Sequence, residues 1–219
     1  MGYAQEVKMK LLCFDLDNTL VKATKAHLHA YKLAFKQLKL PKKTNKEIFE
    51  YLSLASSEFI KKLYPKLNEK QIKEIVVLHN KYFSKKTIQE IKLIKGTKRT
   101  LMLLCPKYKI AILSNATSKH IEETLKQVGI HKQLFDLIIG SDKIKHHKPH
   151  PEGILKAKKI LKCNDGYMIG DAIFDVQAGK AAKFKTISVL TGTDSKSKLK
   201  KENPNFILKS VKDLPKILP

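Results

Sequence analysis

The chain has 219 residues, of which 42% are hydrophobic and 29% are charged, as expected for one globular domain or a domain with an insertion. Its three cysteines, Cys13, Cys105 and Cys163, lie far apart without a C-x-x-C pair, which argues against a disulfide framework and a cysteine-based zinc site. No apolar run approaches the roughly 20 residues of a membrane span, and the first residues lack a secretory signal, so we expect a cytoplasmic protein without a membrane partner.

The net charge of +24 raises the question of nucleic-acid binding. Arg99 is the single arginine among 44 basic residues, and lysine cannot reproduce the arginine fork that holds phosphates and bases. The lysines are also dispersed along the chain in pairs, rather than concentrated in one block. This pattern favours solvated lysines on helix faces, and we do not expect a nucleic-acid partner.

Five short apolar runs, each ending in polar residues, are typical of buried strands. They cover residues 9–15, 109–113, 135–140, 167–170 and 184–190. Between the second and third runs, Ile121, Leu125 and Val128 lie at helical spacing, with Ser118 as a candidate N-cap and Gly129 as the stop. Further helices are predicted at 152–162 and 173–182, and a last strand and a closing helix at 205–208 and 211–218. This alternation predicts an α/β fold with a doubly wound parallel sheet, whose ligands bind at the carboxyl ends of the strands.

The long segment between the first two strands, residues 22–92, differs from the rest of the chain. It is polar and helical in period, with an apolar stripe from Leu28 to Leu38, and Pro41 and Pro65 divide it into about three helices. Seventy residues exceed what one crossover needs, so we predict an inserted helical cap. The predicted domains are a discontinuous core, 1–21 with 93–219, and a cap, 22–92.

Two pairs of carboxylates follow predicted strands. Asp15 and Asp17 end the first strand, and residues two apart in an extended chain point to the same face. Asp171 and Asp175, in G-D-A-I-F-D, end another strand and can complete an acidic pocket. Close carboxylates repel each other unless a cation or a proton lies between them, and all-oxygen ligands suit Mg²⁺. The sequence therefore predicts a magnesium site.

Basic and hydroxyl groups follow two further strands. Lys148, in H-H-K-P-H-P, lies after the third strand, and Ser114 with Asn115 lies after the second. The Ser114 hydroxyl and the backbone N–H groups of the following turn suit an oxyanion. Each of these motifs alone is common in turns and helix caps, so the evidence lies in their occurrence, in order, at strand ends.

The run F-D-L-D-N-T-L, followed by L-S-N, K-P-H-P and G-D-x-x-x-D, resembles the haloacid dehalogenase-like hydrolase superfamily. The resemblance covers nearly the whole chain, and residues 166–192 are most similar to its phosphoglycolate phosphatase-like branch. It implies a Rossmann-like core with an inserted α-helical cap. It also implies a Mg²⁺-dependent phosphatase that acts on small phosphoesters through an aspartyl-phosphate intermediate.

The resemblance also implies a role for each motif. Asp15 would be the nucleophile, Asp17 the general acid and base, and Lys148 the cation that offsets negative charge. The implied phosphate-binding residues are Thr19, Ser114, Asn115 and Lys148. The implied metal ligands are Asp15, Asp17 through its backbone carbonyl, Asp171, and Asp175 directly or through a neighbour. An acid at position 17 separates phosphatases and phosphomutases from dehalogenases and transport ATPases.

Several alternatives stay open at this point. A pyrophosphatase or a phosphomutase would carry the same motifs, and a basic protein could keep the fold but bind nucleic acid or a partner. Asn18 stands where glycine is common, and Lys22 stands where the branch often has an acid. Lys22 is a candidate for contacting a second anionic group on the substrate. His27 is expected to be a solvated or packing residue, and the oligomeric state is not predicted.

Overall fold

The computed structural model describes residues 9–218, so the first eight residues of the predicted core lie outside the described residues. This part of the chain contains eight strands: β1 (Leu11–Phe14), β2 (Val21–Lys22), β3 (Lys92–Leu93), β4 (Lys109–Leu113), β5 (Leu137–Ile139), β6 (Gly166–Gly170), β7 (Lys185–Val189) and β8 (Phe206–Leu208). Six of them form a parallel sheet in the order β5-β4-β1-β6-β7-β8, and β2 pairs with β3 in a separate antiparallel ribbon. The predicted parallel α/β fold is confirmed.

Strand β1 lies at the centre of the sheet, between β4 and β6. Leu12 and Phe14 pack into the hydrophobic cluster on one face, while Leu11 and Cys13 pack into the cluster on the other face. All four side chains are fully buried because helices cover both faces of the sheet. The chain leaves β1 for β4 on one side and later reaches β6 on the other. This reversal places the carboxyl ends of β1, β4 and β6 around one crevice.

Nine α-helices lie within the described residues: α1 (Thr24–Gln37), α2 (Asn45–Tyr51), α3 (Ser56–Leu63), α4 (Glu69–Tyr82), α5 (Thr97–Leu104), α6 (Ser118–Gln127), α7 (Glu152–Ile160), α8 (Ile173–Ala181) and α9 (Lys196–Lys201). The N-cap of α6 is Thr117 rather than the predicted Ser118, because the Thr117 hydroxyl accepts a hydrogen bond from the His120 N–H at 3.3 Å. The closing helix is a short 3₁₀ segment, Val211–Lys216. Helix α9 was not predicted, since Leu199 is its only buried residue.

Helices α1 to α4 pack against one another around their own hydrophobic cluster, which includes Tyr31, Phe59 and Ile75. Their number is four instead of about three, because the chain also turns between α2 and α3 at a site with neither proline nor glycine. The β2–β3 ribbon joins this cluster to the sheet, and the predicted domain boundaries fall within it. Within residues 9–218, no helix combines the length and hydrophobicity needed to cross a membrane.

Candidate active site

A cavity of about 580 Å³ lies between the carboxyl ends of the strands and helices α1, α3 and α4. The sheet side contributes seven of the eight predicted site residues: Asp15, Asp17, Ser114, Asn115, Lys148, Asp171 and Asp175. The structure therefore brings together groups that are separated by up to 160 residues in the chain. Thr19 is the predicted residue that does not line the cavity.

Lys148 forms the electrostatic centre of the site. Its Nζ donates to Asp15 Oδ1 and to Asp175 Oδ1, each at 2.6 Å, and its side chain is only 10% exposed. Burial alone would lower the pKa of Lys148, but the two carboxylates raise it above its usual range. The loop that carries Lys148 is anchored by Glu152, which accepts two backbone N–H groups from it. Lys148 is therefore a cation held in place by two carboxylates and by the anchored loop.

Asp15, Asp171 and Asp175 form a buried carboxylate cluster in which one oxygen of each carboxylate lies within 4.8 Å of the other two. Burial raises the pKa of Asp15 to about 7, with Lys148 opposing this rise and the neighbouring carboxylates adding to it. Burial, followed by the negative charges of Asp15 and Asp175, raises the pKa of Asp171 well above its usual range. Three crowded oxygen donors with one lysine between them fit a divalent cation that prefers oxygen ligands.

Two glycines make room for these carboxylates. A Cβ atom on Gly192 would lie 1.6 Å from Asp171 Oδ2, and a Cβ atom on Gly170 would lie 2.1 Å from Asp175 Oδ2. Both approaches are closer than any side chain permits, so each carboxylate owes its position to a missing methyl group next to it. The sequence motif G-D-A-I-F-D contains Gly170, but only the fold places Gly192 beside Asp171.

Gly192→Ala is expected to displace the Asp171 carboxylate and to weaken Mg²⁺ activation by roughly tenfold or more, in line with the effect of disturbing a ligand's surroundings. The measurement is a Mg²⁺ titration of phosphate release. Gly153→Ala is the matched control, since the nearest atoms to a Cβ at that position are side-chain atoms 3.7 Å away. Equal Mg²⁺ requirements in the two variants would contradict the role assigned to Gly192.

The charged cluster also predicts a pH-dependent response to Mg²⁺. The folded-state pKa of Asp15 is about 7, whereas its ordinary value is 3.8. Between these two pH values, the folded protein without metal therefore binds more protons than the unfolded chain. Stability without metal should therefore fall as the pH rises from about 4 to 7. We expect Mg²⁺ to raise the melting temperature more at pH 8 than at pH 5. Asp171→Asn should reduce this difference between the two pH values. An equal effect of Mg²⁺ on the unsubstituted protein at pH 5 and pH 8 would contradict the prediction.

Thr19, one of the residues predicted to bind phosphate, lies beneath the carboxylate cluster. Its side chain is completely buried, and its hydroxyl donates to Asp171 Oδ1 at 3.0 Å. The Thr193 N–H donates to the other oxygen of the same carboxylate at 3.2 Å. The Thr19 hydroxyl thus orients Asp171 from behind and does not reach the cavity.

The backbone conformation at position 18 accounts for an asparagine where glycine is common. Its φ of 62° lies in the left-handed region, which asparagine tolerates better than most residues with a side chain. Its Oδ1 accepts hydrogen bonds from the Ala23 N–H at 3.3 Å and from the Thr24 hydroxyl at 2.8 Å. Asn18 therefore adopts a backbone conformation that glycine favours, and it also ties the turn after β1 to the start of α1.

Asp17 lies at the junction of the core and the helical insertion. The His27 Nε2 is 3.5 Å from Asp17 Oδ2, and the His27 Nδ1 is 3.1 Å from the His79 Nε2. Burial alone would raise the pKa of Asp17, but the contact with His27, with a smaller contribution from Lys148, lowers it below its usual range. His27 was predicted to be a solvated or packing residue, but it also contacts Asp17. Its position on an amphipathic helix gave no signal of this contact in the sequence.

Two further histidines line the same cavity in their neutral form. Burial, followed by the proximity of His27 and His120, lowers the pKa of His79 well below its usual range. Burial lowers the pKa of His120 to about 3. Both lie in a stack of aromatic rings that includes Phe83. These rings therefore add no positive charge to the cavity at neutral pH.

The Ser114–Asn115 turn links the sheet to the helical insertion. The Ser114 Oγ accepts the Ala116 N–H at 3.1 Å, which leaves its hydroxyl proton available to a ligand. The Asn115 side-chain amide donates to the Ser53 carbonyl oxygen at 3.3 Å. Lys22, the predicted contact for a second anionic group, is exposed on β2 and is not among the residues that line the cavity.

A family model described as haloacid dehalogenase-like hydrolase matches residues 12–189. The chain belongs to the haloacid dehalogenase-like hydrolase family. The matched region contains every cavity carboxylate and Lys148. Membership in the haloacid dehalogenase-like family confirms the resemblance drawn from the four motifs.

Named relatives of this haloacid dehalogenase-like chain are phosphatases. A phosphoglycolate phosphatase from Aquifex aeolicus is 30% identical over 216 residues, which cover 96% of this chain and 97% of the relative. The pyrophosphatase PpaX of Listeria welshimeri is 28% identical over 212 residues, covering 94% and 95%. A solved structure from Haemophilus somnus, described as a predicted phosphoglycolate phosphatase, has a TM-score of 0.87 at 22% identity and full coverage of both chains, which shows the shared fold. The prediction of a phosphatase is confirmed.

Proposed function

We propose that this phosphatase hydrolyses small organic phosphomonoesters with Mg²⁺, through a phosphorylated Asp15. The observation that carries the proposal is the buried Lys148–Asp15 contact of 2.6 Å at the base of a cavity that also contains Asp17. An unpaired carboxylate would repel a phosphate dianion, whereas a carboxylate held by a fixed cation can approach the phosphorus atom. The names of the relatives from Aquifex and Listeria support the same substrate chemistry.

In the first step, an Asp15 carboxylate oxygen forms a bond to phosphorus while the bond from phosphorus to the ester oxygen breaks. Asp17 donates its proton to the departing oxygen, which leaves as a neutral alcohol. In the second step, Asp17 accepts a proton from a water molecule that attacks the phosphorus of the aspartyl-phosphate. This attack releases inorganic phosphate and restores the Asp15 carboxylate.

Asp17 must be protonated at the moment the alcohol leaves. In the free protein its pKa lies below the usual range, so at neutral pH it rests as a carboxylate. A phosphate dianion placed beside it favours the protonated form, because like charges raise the pKa of a carboxyl group. We therefore assign the acid role to Asp17 in the substrate complex and the base role to it after the alcohol has left.

Ser114 and Lys148 would hold the transferring phosphoryl group. The Ser114 hydroxyl has a free proton, and the N–H groups of the turn after it lie at the edge of the cavity. Lys148 touches both Asp15 and Asp175, so it can balance negative charge as that charge moves from the Asp15 carboxylate to the phosphoryl group and the departing oxygen. Asp175 also accepts the Ala172 N–H at 3.0 Å, which fixes it as the second partner of Lys148.

The residues that would hold Mg²⁺ are Asp15, Asp171 and the backbone carbonyl of Asp17, with Asp175 as a direct ligand or a neighbour of one. When bound, the ion supplies charge neutralisation and orientation of the phosphate. Thr19 and Thr193 fix the Asp171 oxygens in advance.

Residues 22–92 form the cap in this proposal, and 1–21 with 93–219 form the catalytic core. The hydrogen bond from Asn115 to the Ser53 carbonyl joins the cap to the phosphate-binding turn. A cap held over the cavity excludes water during the first step. Movement of the cap about the β2–β3 ribbon then admits the water of the second step.

The test is phosphate release from p-nitrophenyl phosphate, phosphoglycolate and pyrophosphate, with Mg²⁺ and with EDTA. Turnover that needs Mg²⁺ is the expected result. Pyrophosphate is the second candidate substrate, favoured by the names of the Listeria relatives. A folded protein without turnover on any phosphoester would contradict the proposal, and salt-dependent nucleic-acid binding would then be measured.

A further inference from the structure

The cap side of the cavity has a partly apolar wall, whose polar residues include Ser53, Ser56, Ser57 and Asn80. Helix α4 and the turn before α3 contribute six apolar side chains to it: Leu52, Leu54, Ala55, Ile72, Val76 and Val77. Val77 is 64% exposed, although it faces a cavity rather than packing in the cap. Phe174, at the start of α8, lines the cavity from the core side and is partly exposed. Exposed apolar groups that line a concave site mark a surface that a ligand covers.

The same wall offers no buried cation to a second negative charge. Lys73 and Lys148 are the lysines that line the cavity among residues 9–218, and no arginine does so. Lys148 is already bound to Asp15 and Asp175. Lys73 is exposed and lies one helical turn after Glu69, whose opposite charge lines the same cavity. Desolvating a second anionic group against this wall would be costly, because Lys73 is solvent-exposed and shares its helical turn with the negative charge of Glu69.

We infer that the substrate is a phosphomonoester of an uncharged alcohol whose body is apolar and about the size of a ring. This inference rests on the proposed phosphatase function and narrows its substrate class. The cavity volume of about 580 Å³ is in the range of sites that enclose a drug-sized ligand, roughly 300–1,000 Å³. Glycolate and phosphate, the leaving groups suggested by the relatives' names, are small and anionic, and would leave the apolar wall uncovered.

The test compares three esters that all release a primary alcohol: ethyl phosphate, 2-phenylethyl phosphate and phosphoglycolate. Their intrinsic reactivities are similar, so differences in kcat/KM report how the rest of the alcohol is bound. We expect 2-phenylethyl phosphate to exceed ethyl phosphate by about tenfold or more, the effect of burying one phenyl group. Phosphoglycolate should be no better than ethyl phosphate. A phenylethyl-to-ethyl ratio near one, or faster hydrolysis of phosphoglycolate than of 2-phenylethyl phosphate, would overturn the inference.

Val77→Asn tests the wall directly without placing the fold at risk, because the side chain is largely exposed. It should lower the phenylethyl-to-ethyl ratio of kcat/KM by about threefold or more. Met102→Asn is the matched control, since Met102 is 62% exposed on α5 and does not line the cavity. An unchanged ratio in Val77→Asn, or an equal fall in Met102→Asn, would count against an apolar subsite.

Lys73→Met distinguishes esters of an uncharged alcohol from substrates that carry a second anionic group. If the alcohol is uncharged, this variant leaves kcat/KM for 2-phenylethyl phosphate unchanged. A loss of tenfold or more that is confined to phosphoglycolate or pyrophosphate would show that Lys73 binds an anionic group, and would overturn the inference. If none of the esters is hydrolysed with Mg²⁺, the phosphatase proposal itself fails. Hydrolysis of all three esters at similar rates leaves the phosphatase intact and rejects only the apolar subsite.

Discussion

Asp15→Asn is expected to reduce kcat by about 10⁴-fold or more, as removal of a covalent nucleophile does in other hydrolases. The amide keeps the size and one acceptor oxygen of the carboxylate, but it is too weak a nucleophile to displace an alcohol from phosphorus. Trapping of radioactive phosphate on the protein after rapid acid quenching should also disappear. The measurement is single-turnover phosphate release with Mg²⁺.

The fold should survive this substitution. Lys148 keeps Asp175 as its partner. Loss of the negative charge of Asp15 also relieves part of the repulsion between carboxylates that raises the pKa of Asp171. The melting temperature in EDTA at pH 8 should therefore be unchanged or higher. Asp165→Asn is the matched control, because that carboxylate is 63% exposed and far from the cavity, and it should keep full activity. Substantial turnover by Asp15→Asn would move the nucleophile to another residue.

Lys148→Met is expected to damage both stability and activity. The change leaves Asp15 and Asp175 without a cation in a buried site, and breaking a buried ion pair in this way costs about 3–5 kcal/mol. Turnover should fall by about 10²–10³-fold, the usual effect of removing one electrostatic group from a reacting centre. Chemical denaturation and steady-state kinetics measure the two effects separately.

The stability loss should be larger at pH 8 than at pH 5, because protonation of the stranded carboxylates removes their charge at low pH. Mg²⁺ should restore part of the stability and little of the activity. The matched control is Lys159→Met, on the exposed face of α7. A Lys148→Met variant as stable and as active as Lys159→Met would show that the Lys148 contacts do not support the site.

The two substitutions distinguish two ways in which the site could fail. Asp15→Asn removes the atom that forms the new bond but preserves the charge balance. Lys148→Met preserves that atom but makes the approach of a phosphate dianion unfavourable. The proposed mechanism therefore predicts opposite effects on stability from two variants that both lose activity.

The sequence by itself determined the parallel sheet and the set of charged groups. Short apolar runs that end in Asp15 or Asp171 predict a strand and its functional end together, because parallel strands in a doubly wound sheet present their carboxyl ends to one crevice. The roles of the individual site residues remain predictions, which the two variants above test. Lys148 was found in the same way, from its place after a strand.

Only the tertiary structure decided how the remaining groups meet. Thr19 lies behind Asp171, and Gly192 lies against it, because strands distant in sequence are adjacent in the sheet. The contact between His27 and Asp17, and the apolar wall around Val77, depend on how α1 and α4 pack over the sheet. Periodicity reports which face of a helix is apolar, but it does not report which neighbour or cavity that face meets. The groups proposed for catalysis are therefore visible in the sequence, whereas the surface proposed to select the substrate emerges only from packing.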